Sequence, residues 1–239
     1  MKCVNESPTV IALSGGIGGA KLALGLSNAL SSRSLMIIGN IGDDFEHYGL
    51  YISPDLDTLM YTISGNSDTE KGWGLAEESW DCMKSLERLG GETWFNLGDK
   101  DLATHLERTR RIMAGESLTE ITSDFCRKFK ISAQILPVSN DSLKTIVETE
   151  NGDMDFQDYF VRDQCKAVVS GFRFEGSGQA EPNPIFMEAL SDPSLKAVVI
   201  CPSNPFLSID PMLAVSGVRE KLRDCSAVSY THLTLPTKA

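Results

Sequence analysis

Two short apolar runs near the start of the chain, with a helical pattern between them, predict the architecture. Val10–Leu13 and Leu35–Ile38 are uninterrupted apolar runs of strand length, and Ala20–Ser31 repeats apolar positions with helical spacing. Strand, helix and strand in this order form a β-α-β unit, in which the strands are parallel and the crossover is right-handed. We therefore expect a buried parallel sheet.

The middle of the chain predicts helices. Helical spacing of apolar positions occurs in four segments: Leu56–Gly65, Glu77–Leu89, Ala103–Ala114 and Leu118–Phe129. Ser117 precedes the last segment as an expected N-cap, and the preceding helix is expected to stop at a glycine. The β-branched and aromatic residues of the first segment leave its helical assignment open.

From about residue 132 to 175 the pattern changes to short strands. Gln134–Pro137, Lys144–Glu150 and Met154–Val161 have strand length and composition, and the stretch "ENGD" is typical of a hairpin turn. These features predict a small antiparallel insertion over about residues 132–175.

The last part of the chain resumes the earlier pattern and then loses it. Ala197–Cys201 is again a buried strand, and Val215–Asp224 is helical. From Ala227 the chain is polar without a clear period, and we expect no sheet element there. We interpret 227–239 as a non-native tail after a truncated domain of residues 1–226. The predicted fold is α/β: a Rossmann-like parallel sheet with helices on both faces and a small β-containing insertion.

Composition narrows the class of protein. The 239 residues are 41% hydrophobic, enough for the core of one domain, and the net charge of -11 argues against a nucleic-acid partner. Six cysteines show no CxxC spacing, so we expect reduced thiols rather than a metal or disulfide framework. Without a signal peptide or a long apolar run, we expect a cytoplasmic protein with no membrane contact.

The stretch "SGGIGGAK" follows the first predicted strand and resembles a phosphate-binding loop. Backbone N–H groups in such a turn, with a helix start behind them, form an anion cradle, and Lys21 adds a positive charge. The stretch lacks the third glycine of the dinucleotide fingerprint and the Ser or Thr of a Walker loop. The alternative is a tight turn with a surface lysine. The glycines are Gly15, Gly16, Gly18 and Gly19.

Acidic residues follow the second predicted strand, which ends near Asn40. Asp43 belongs to an acidic pair, and Asp55 and Asp57 follow in "SPDLDT". Carboxylates near the carboxyl ends of parallel strands suit Mg²⁺, which is held by one or two carboxylates and substrate phosphates. We expect Asp43 and Asp57 to be functional, and Asp55 to cap its helix.

The stretch "LGDKDLATHLERTRR" predicts a polar stripe at a helix start. Asp101 and His105 are one turn apart, as are Thr104 and Arg108. A solvated helix face is the alternative interpretation.

A rigid turn is expected at "CPSNP", after the strand near Cys201. Ser203 and Asn204 stand between two prolines there and can present polar groups to a phosphate or ribose. An ordinary turn explains the stretch equally well.

Seven stretches together carry a family resemblance over about Val10–Asp224: "SGGIGGAK", "NIGDDFEHYGLYISPDLDT", "WGLAEES", "LGDKDLATH", "ILPVSND", "FQDYFV" and "PSNP". In this order they resemble the 2-phospho-L-lactate transferase family of coenzyme F420 biosynthesis. The resemblance implies transfer of a phosphorylated three-carbon acid (2-phospholactate, phosphoenolpyruvate or phosphoglycerate) from a guanosine diphosphate-linked donor to the deazaflavin Fo. The products are then F420-0, or a close variant, and GMP.

The resemblance also implies roles for residues. Asp43 and Asp57 would be catalytic and hold Mg²⁺, with Asp57 as metal ligand or general base, and Fo would contact Asp57, Lys100 and His105. Family members continue into further strands and helices, so we expect part of the nucleotide pocket and the contact of a homodimer to lie beyond this chain. The implied nucleotide- and phosphate-binding residues are Gly15, Gly16, Gly18, Gly19, Lys21, Asn40, Ser203 and Asn204.

Two other functions fit parts of the pattern. A related family of nucleotide-sugar-binding regulators shares the glycine loop but lacks "PDLDT" and "LGDKDLATH". A nicotinamide-dependent dehydrogenase would explain the near match to the dinucleotide fingerprint. Against it, Lys21 replaces the third glycine and Asn40 replaces the carboxylate that binds ribose.

Overall fold

A five-stranded parallel sheet forms the centre of the computed structural model, which describes residues 7–231. Its strands are β1 (Val10–Ser14), β2 (Leu35–Gly39), β5 (Gln134–Pro137), β9 (Ala197–Ile200) and β10 (Val228–Thr231). Their spatial order is β10-β9-β1-β2-β5, with every neighbouring pair parallel. The chain first adds β2 and β5 on one side of β1 and later adds β9 and β10 on the other side. The strand order therefore reverses between β1 and β9. Ligands of open α/β sheets bind at such a reversal, outside the carboxyl ends of the strands.

Helices flank this sheet, as the pattern predicted. The longer ones are α1 (Gly16–Ala29), α2 (Pro54–Ile63), α3 (Asp81–Arg88), α4 (Asp99–Met113) and α5 (Leu118–Lys128). Near the carboxyl end lie α6 (Pro184–Leu190), α7 (Asp210–Ala214) and α8 (Val218–Asp224). Among the described residues, no helix is both long and apolar enough to cross a bilayer.

Several boundaries differ from the sequence expectations. Helix α1 begins at Gly16 rather than at Ala20, so most of the predicted glycine loop is the first turn of a helix. Of Glu77–Leu89 only Asp81–Arg88 is helical. The cap at Ser117 is confirmed: its hydroxyl accepts from the N–H of Glu120, whose side chain accepts in return from the N–H of Ser117, a capping box.

The insertion is a three-stranded antiparallel sheet of β6 (Lys144–Thr149), β7 (Gly152–Asp155) and β8 (Val169–Glu175), in the order β7-β6-β8. Two expectations were wrong here. Gln134–Pro137 joins the parallel sheet as β5, because its apolar run is buried beside β2. Met154–Val161 is not one strand: β7 ends at Asp155, and Asp158–Arg162 forms a π-helical turn.

A short hairpin connects the sheet to α2. Its strands are β3 (Phe45–His47) and β4 (Leu50–Ile52), joined by Tyr48 and Gly49, both with positive φ, as a tight hairpin requires. The hairpin returns the chain to the start of α2, so both acidic motifs lie near the carboxyl end of β2.

The end of the described chain also corrects an expectation. The predicted helix Val215–Asp224 is α8 alone, which begins after Gly217 at a φ of 77°. Residues 228–231 form β10, which pairs in parallel with β9. The prediction that the chain adds no sheet element after Ala227 was therefore wrong, because edge pairing with β9 needs no apolar alternation. Whether residues 227–239 are native stays a prediction, and residues 232–239 lie outside the described part.

Candidate active site

A cavity of about 560 Å³ opens at the carboxyl ends of β1, β2 and β9, where the strand order reverses. Its walls come from the start of α1, the start of α2, one face of α4 and the segment after β9. Seven residues expected at the site line it: Gly16, Asp43, Asp57, Asp101, His105, Ser203 and Asn204. Segments remote in sequence therefore converge on one pocket.

The first two glycines of the loop allow α1 to approach the segment after β9. A Cβ on Gly15 would lie 2.6 Å from the Cβ of Ser208 and 2.9 Å from a carboxylate oxygen of Asp55. Gly16 has a φ of 62°, which favours glycine, and a Cβ there would lie 3.0 Å from the Oγ of Ser203. Of the four loop glycines only Gly16 lines the pocket.

The other two glycines serve close packing. A Cβ on Gly18 would lie 2.5 Å from the carbonyl oxygen of Pro202, and a Cβ on Gly19 would lie 2.6 Å from the Oγ of Ser14. Protein atoms thus fill the space beside Gly18 and Gly19, outside the pocket. Their role in binding phosphate stays a prediction, whereas their packing role follows directly from these distances.

The side chain of Asp55, a residue of α2, binds the backbone at the start of helix α1. Its Oδ1 accepts a 2.6 Å hydrogen bond from the N–H of Gly16, and its Oδ2 accepts from the side-chain amide of Asn40. The N-cap residue of Asp55's own helix is Ser53. The expectation that Asp55 caps α2 was wrong: it places a negative charge at the positive end of α1 instead.

Asn40 joins two buried carboxylates. Its side-chain N–H groups donate to Asp55 at 2.9 Å and to Asp43 at 3.3 Å, and its Oδ1 accepts from the N–H of Gly42. Burial raises the pKa of Asp43 well above its ordinary value, with further upward contributions from Asp55 and Asp44. Burial also raises the pKa of Asp55, opposed by hydrogen bonds from Asn40 and the Gly16 backbone. Asn40 is thus a structural link beneath the pocket.

Asp57, at the start of α2, is paired with Arg108 of α4. Arg108 donates hydrogen bonds to both carboxylate oxygens of Asp57, one of them at 3.0 Å. Arg108 is only 1% exposed. Burial lowers the pKa of Arg108 and the Asp57 carboxylate raises it, with a net upward shift. Sequence reasoning placed Arg108 on a polar stripe without assigning it a partner. The signal was its position seven residues after Asp101, on the same helix face.

His105 lies between two carboxylates. Its Nε2 is 3.3 Å from Asp101 Oδ2, and its Nδ1 is 3.7 Å from Asp57 Oδ2. The Tyr61 hydroxyl donates to Asp101 at 2.6 Å. Burial raises the pKa of Asp101, but the nearby His105 ring and the hydrogen bond from Tyr61 outweigh it and leave this pKa lowered. The polar stripe of α4 is therefore a buried network at the pocket wall and not a solvated face.

The two predicted lysines lie apart from the pocket. Lys100 Nζ donates to the carbonyl of Ala76 at 3.0 Å and lines a separate cavity of about 680 Å³. Lys21 is exposed on α1 and does not line the pocket. The structure thus brings His105 and Asp57 together but places Lys100 elsewhere.

Ser203 and Asn204 lie in the turn after β9, as expected. Asn204 Oδ1 accepts from the N–H groups of Phe206 and Leu207 and so caps the π-helical turn Pro205–Ile209. Its position is therefore fixed by backbone hydrogen bonds.

The pocket mouth carries exposed aromatic side chains that sequence reasoning missed. Trp73 is 42% exposed and Phe160 is 53% exposed, and both line the pocket. Phe160 stacks on Phe156, which also lines it. No periodic signal marks these positions, because they lie in loops and in a π-helical turn. The motifs "WGLAEES" and "FQDYFV" contain them, but the sequence assigned them no role.

The donor atoms indicate which residues suit a divalent cation. Asp43 is buried and forms no ion pair within residues 7–231, so its carboxylate suits Mg²⁺, whereas both oxygens of Asp55 already accept hydrogen bonds from Gly16 and Asn40. Asp57, Asp101 and His105 also have ligand atoms within 4.8 Å of one another. That set contains a ring nitrogen and stands beside the Arg108 guanidinium, so it suits Mg²⁺ less well. The pairing of Asp43 with Asp57 as metal ligands stays a prediction.

Comparison with known proteins identifies the family. The family model described as 2-phospho-L-lactate transferase CofD matches residues 10–232. The chain belongs to this transferase family. The motifs from the glycine loop to "PSNP" had indicated the same family, and the matched range includes β10, the strand that the sequence did not predict.

Relatives of the transferase carry a more specific name. The phosphoenolpyruvate transferase of Streptomyces coelicolor is 39% identical over 220 residues, covering 90% of this chain and 68% of that relative. The phosphoenolpyruvate transferase of Mycolicibacterium smegmatis is 38% identical over 234 residues, covering 91% and 71%. A solved structure of a UPF0052-family protein from Bacillus halodurans matches with a TM-score of 0.65, 18% identity and coverage of 95% of this chain and 68% of that one. At that identity the structural likeness confirms the fold alone.

Proposed function

We propose that this transferase moves a phosphorylated three-carbon acid from a guanosine diphosphate-linked donor to the deazaflavin Fo, releasing GMP. The observation that carries the proposal is the convergence of the family motifs on one pocket at the strand-order reversal. Asp43 and Asp57 lie on its walls together with Ser203 and Asn204. A pocket of about 560 Å³ suits a small-molecule reaction.

We further propose that the acid is enolpyruvate. Relatives that are 37–40% identical and cover about nine-tenths of the chain are named phosphoenolpyruvate transferases. Lactate and glycerate donors remain the alternatives, because no pocket residue of known role distinguishes a double bond from a methyl or hydroxyl group.

For catalysis we propose positioning and charge neutralisation. Asp43 and Asp57 would hold Mg²⁺, which neutralises charge on phosphate oxygens during transfer. Arg108 fixes both oxygens of Asp57, so this carboxylate presents a constant geometry to the attacking hydroxyl of Fo. Alternatively, Asp57 acts as the general base that accepts the proton of this hydroxyl, and its orientation by Arg108 serves that role equally.

The two substrates would occupy different walls. Ser203 and Asn204 support a donor site at the wall beside the start of α1, where Gly16 also lines the pocket while its N–H donates to Asp55. Trp73 and Phe160 support binding of a planar deazaflavin ring at the mouth, since aromatic faces stack on one another. Binding of the nucleotide, its phosphates or Fo stays predicted for seven further residues, of which only His105 lines the pocket. They are Gly15, Gly18, Gly19, Lys21, Asn40, Lys100 and His105.

Two properties of the transferase beyond its reaction are proposals as well. We propose that the transferase is a homodimer and that it is located in the cytoplasm. We also propose that it binds no nucleic acid, which its net charge of -11 supports. Light scattering at several protein concentrations measures the mass, and a monomer at every concentration contradicts the dimer.

The deciding experiment is product analysis by mass spectrometry. The chain is incubated with Fo, Mg²⁺ and, separately, the guanosine diphosphate-linked form of each acid. We expect the enolpyruvyl product and GMP, and loss of turnover with a chelator. Binding of Fo, followed by its fluorescence, is the control for a correctly formed pocket. Fo binding without a product from any donor contradicts the proposed reaction.

A further inference from the structure

Two helices meet behind Asp57, and their facing polar side chains form a continuous chain of contacts. Asp57 and Tyr61 are one turn apart on α2. Asp101, His105 and Arg108 follow one another along one face of α4. Tyr61, His105 and Arg108 are each at most 2% exposed. These side chains therefore contact one another rather than water, and the direction of each hydrogen bond between them matters.

The contact between Arg108 and His105 fixes the position of the ring proton. Nη1 of Arg108 donates to Asp57 Oδ2 at 3.0 Å and lies 3.3 Å from Nδ1 of His105. A guanidinium has only donors, so Nδ1 is the acceptor and the ring proton is on Nε2. On the other side of the ring, Nε2 is 3.3 Å from Asp101 Oδ2. This approach is an electrostatic attraction, because Nε2 has no aligned hydrogen-bond partner within residues 7–231.

Tyr61 orients the Asp101 carboxylate. Its hydroxyl lies 2.6 Å from Asp101 Oδ1 and 3.0 Å from Thr104 Oγ1, but it has a single proton. Burial, with the nearby charges of Asp57 and Asp101, raises the pKa of Tyr61 well above its ordinary value, so the hydroxyl keeps that proton. An ionised carboxylate can only accept, so Tyr61 donates to Asp101 and Thr104 donates to Tyr61. Oδ1 of Asp101 is thereby held toward Tyr61, and Oδ2 toward His105.

We propose that Tyr61 and Asp101 are positioning residues of the transfer reaction, acting through His105. They keep the ring proton of His105 on Nε2, so that Nδ1 accepts from Arg108. Arg108 in turn holds both oxygens of Asp57. In the other tautomer an N–H of His105 would face an N–H of Arg108, and their repulsion would turn the guanidinium away from its present orientation. The effect on turnover rests on the function proposed above for Asp57, whereas the position of the proton on His105 does not.

Nitrogen-15 NMR of the histidine rings reads the tautomer directly, because protonated and unprotonated ring nitrogens resonate in separate ranges. The chain has three histidines, and the variants His47→Gln and His232→Gln remove the other two signals in turn and so assign His105. At neutral pH we expect His105 with Nε2 protonated and Nδ1 unprotonated. Protonation of Nδ1, or an equal mixture of the two tautomers, overturns the proposal.

Asp101→Asn tests what holds the ring proton in place. The amide is similar in size but can donate a hydrogen bond to Nε2, so the proton should move to Nδ1, which faces Arg108. We expect the inverted tautomer of His105 in the spectrum and a fall in kcat for transfer to Fo. The wild-type tautomer in this variant overturns the proposal, whether or not the chain transfers its substrate. The expected tautomers in both proteins, with no turnover by the wild type from any donor, contradict the proposed function instead.

Tyr61→Phe removes only the hydroxyl. We expect a kcat lower by roughly 10- to 100-fold, an unchanged KM for Fo and a mixture of His105 tautomers. Tyr48→Phe is the matched control: the Tyr48 hydroxyl also donates a hydrogen bond, to the carbonyl of Glu92 at 2.9 Å, but Tyr48 is 48% exposed on the β3–β4 turn. This control should keep the wild-type kcat and His105 spectrum.

Two kinetic results for Tyr61→Phe overturn the proposal. A raised KM for Fo with an unchanged kcat shows that Tyr61 contacts the substrate directly, and wild-type kinetics show that its hydroxyl has no part in the reaction. Circular dichroism establishes that each variant is folded. If Tyr61→Phe does not fold, the tautomer and kcat of Asp101→Asn decide the matter.

Discussion

Arg108 of α4 donates hydrogen bonds to both carboxylate oxygens of Asp57 of α2, and the two residues are only 1% and 4% exposed. The pair fixes one predicted catalytic side chain to a neighbouring helix. Removing one member of a buried pair leaves the other charge without compensation, so the pair governs stability as well as geometry.

Arg108→Met should therefore destabilise the protein by about 3–5 kcal/mol. Urea unfolding measures the loss. Arg110→Met is the matched control on the same helix, because Arg110 is exposed and pairs with Glu107 near the surface. That control should change the free energy of unfolding by less than about 1 kcal/mol. Equal losses in both variants would contradict the role of the buried pair.

Asp57→Asn should lower transferase turnover by about 100-fold or more, since it removes the charge expected to act on metal or proton. The structure adds that this variant loses stability, because Arg108 then lacks a carboxylate partner. The double variant Asp57→Asn with Arg108→Gln removes both charges of this buried pair and should regain much of that stability without regaining turnover. Recovered turnover in the double variant would refute the role of Asp57.

The raised pKa of Asp43 gives a prediction on pH. In the folded protein Asp43 holds its proton to a higher pH than in the unfolded chain, so stability falls as pH rises from about 4 through the folded-state pKa. In the absence of divalent cations, Asp43→Asn should then be more stable than the wild type at neutral pH. The difference should close as the pH approaches 4. Thermal unfolding across this range measures it.

Asp99→Asn is the control of opposite sign. Hydrogen bonds from Ser79 and from the N–H groups of Cys82 and Asp81 lower the pKa of Asp99. Its contribution to stability is present above the ordinary pKa of aspartate and is lost as the pH falls through the lowered value. The Asn variant should thus lose stability at neutral pH. The same sign of change in both variants would show that burial does not govern Asp43.

Gly18→Ala tests the packing role of the glycine loop. A Cβ at Gly18 meets the carbonyl of Pro202 at 2.5 Å, so we expect a loss of about 1–3 kcal/mol in the free energy of unfolding. Gly25 lies on the same helix with nothing within 4 Å of its Cβ position. Gly25→Ala should stabilise by about 0.5–1 kcal/mol. If Gly18→Ala instead keeps its stability but binds the nucleotide poorly, the glycine serves the ligand and not the packing.

Particular elements show how far the sequence predicted the fold. The runs Val10–Leu13, Leu35–Ile38 and Ala197–Ile200 within β1, β2 and β9 are apolar throughout because parallel strands are covered on both faces, and this pattern is local. The capping box at Ser117 is local in the same sense. By contrast, β10 is held by pairing with β9, and the polar stretch after Ala227 gave no local signal for a strand.

The candidate site divides in the same way. The motifs identified Asp43, Asp57 and His105 as residues at the pocket, because charged and polar side chains at strand ends and helix starts can be recognised from the sequence alone. The sequence did not predict that Asp55 would bind the N–H of Gly16. It also did not predict that Lys100 would face a different cavity.

The sequence by itself determined the strand-helix order, the family motifs and the acidic residues near the strand ends, since each depends on neighbours along the chain. The tertiary structure alone decided the partners: Arg108 with Asp57, Asp55 with the start of α1, and Tyr61 with Asp101. The physical reason is that burial makes charge pairing and close packing obligatory, and the partners that satisfy them are remote in sequence. The glycine-rich stretch shows both, because its composition predicts a close approach but only the fold shows what approaches it.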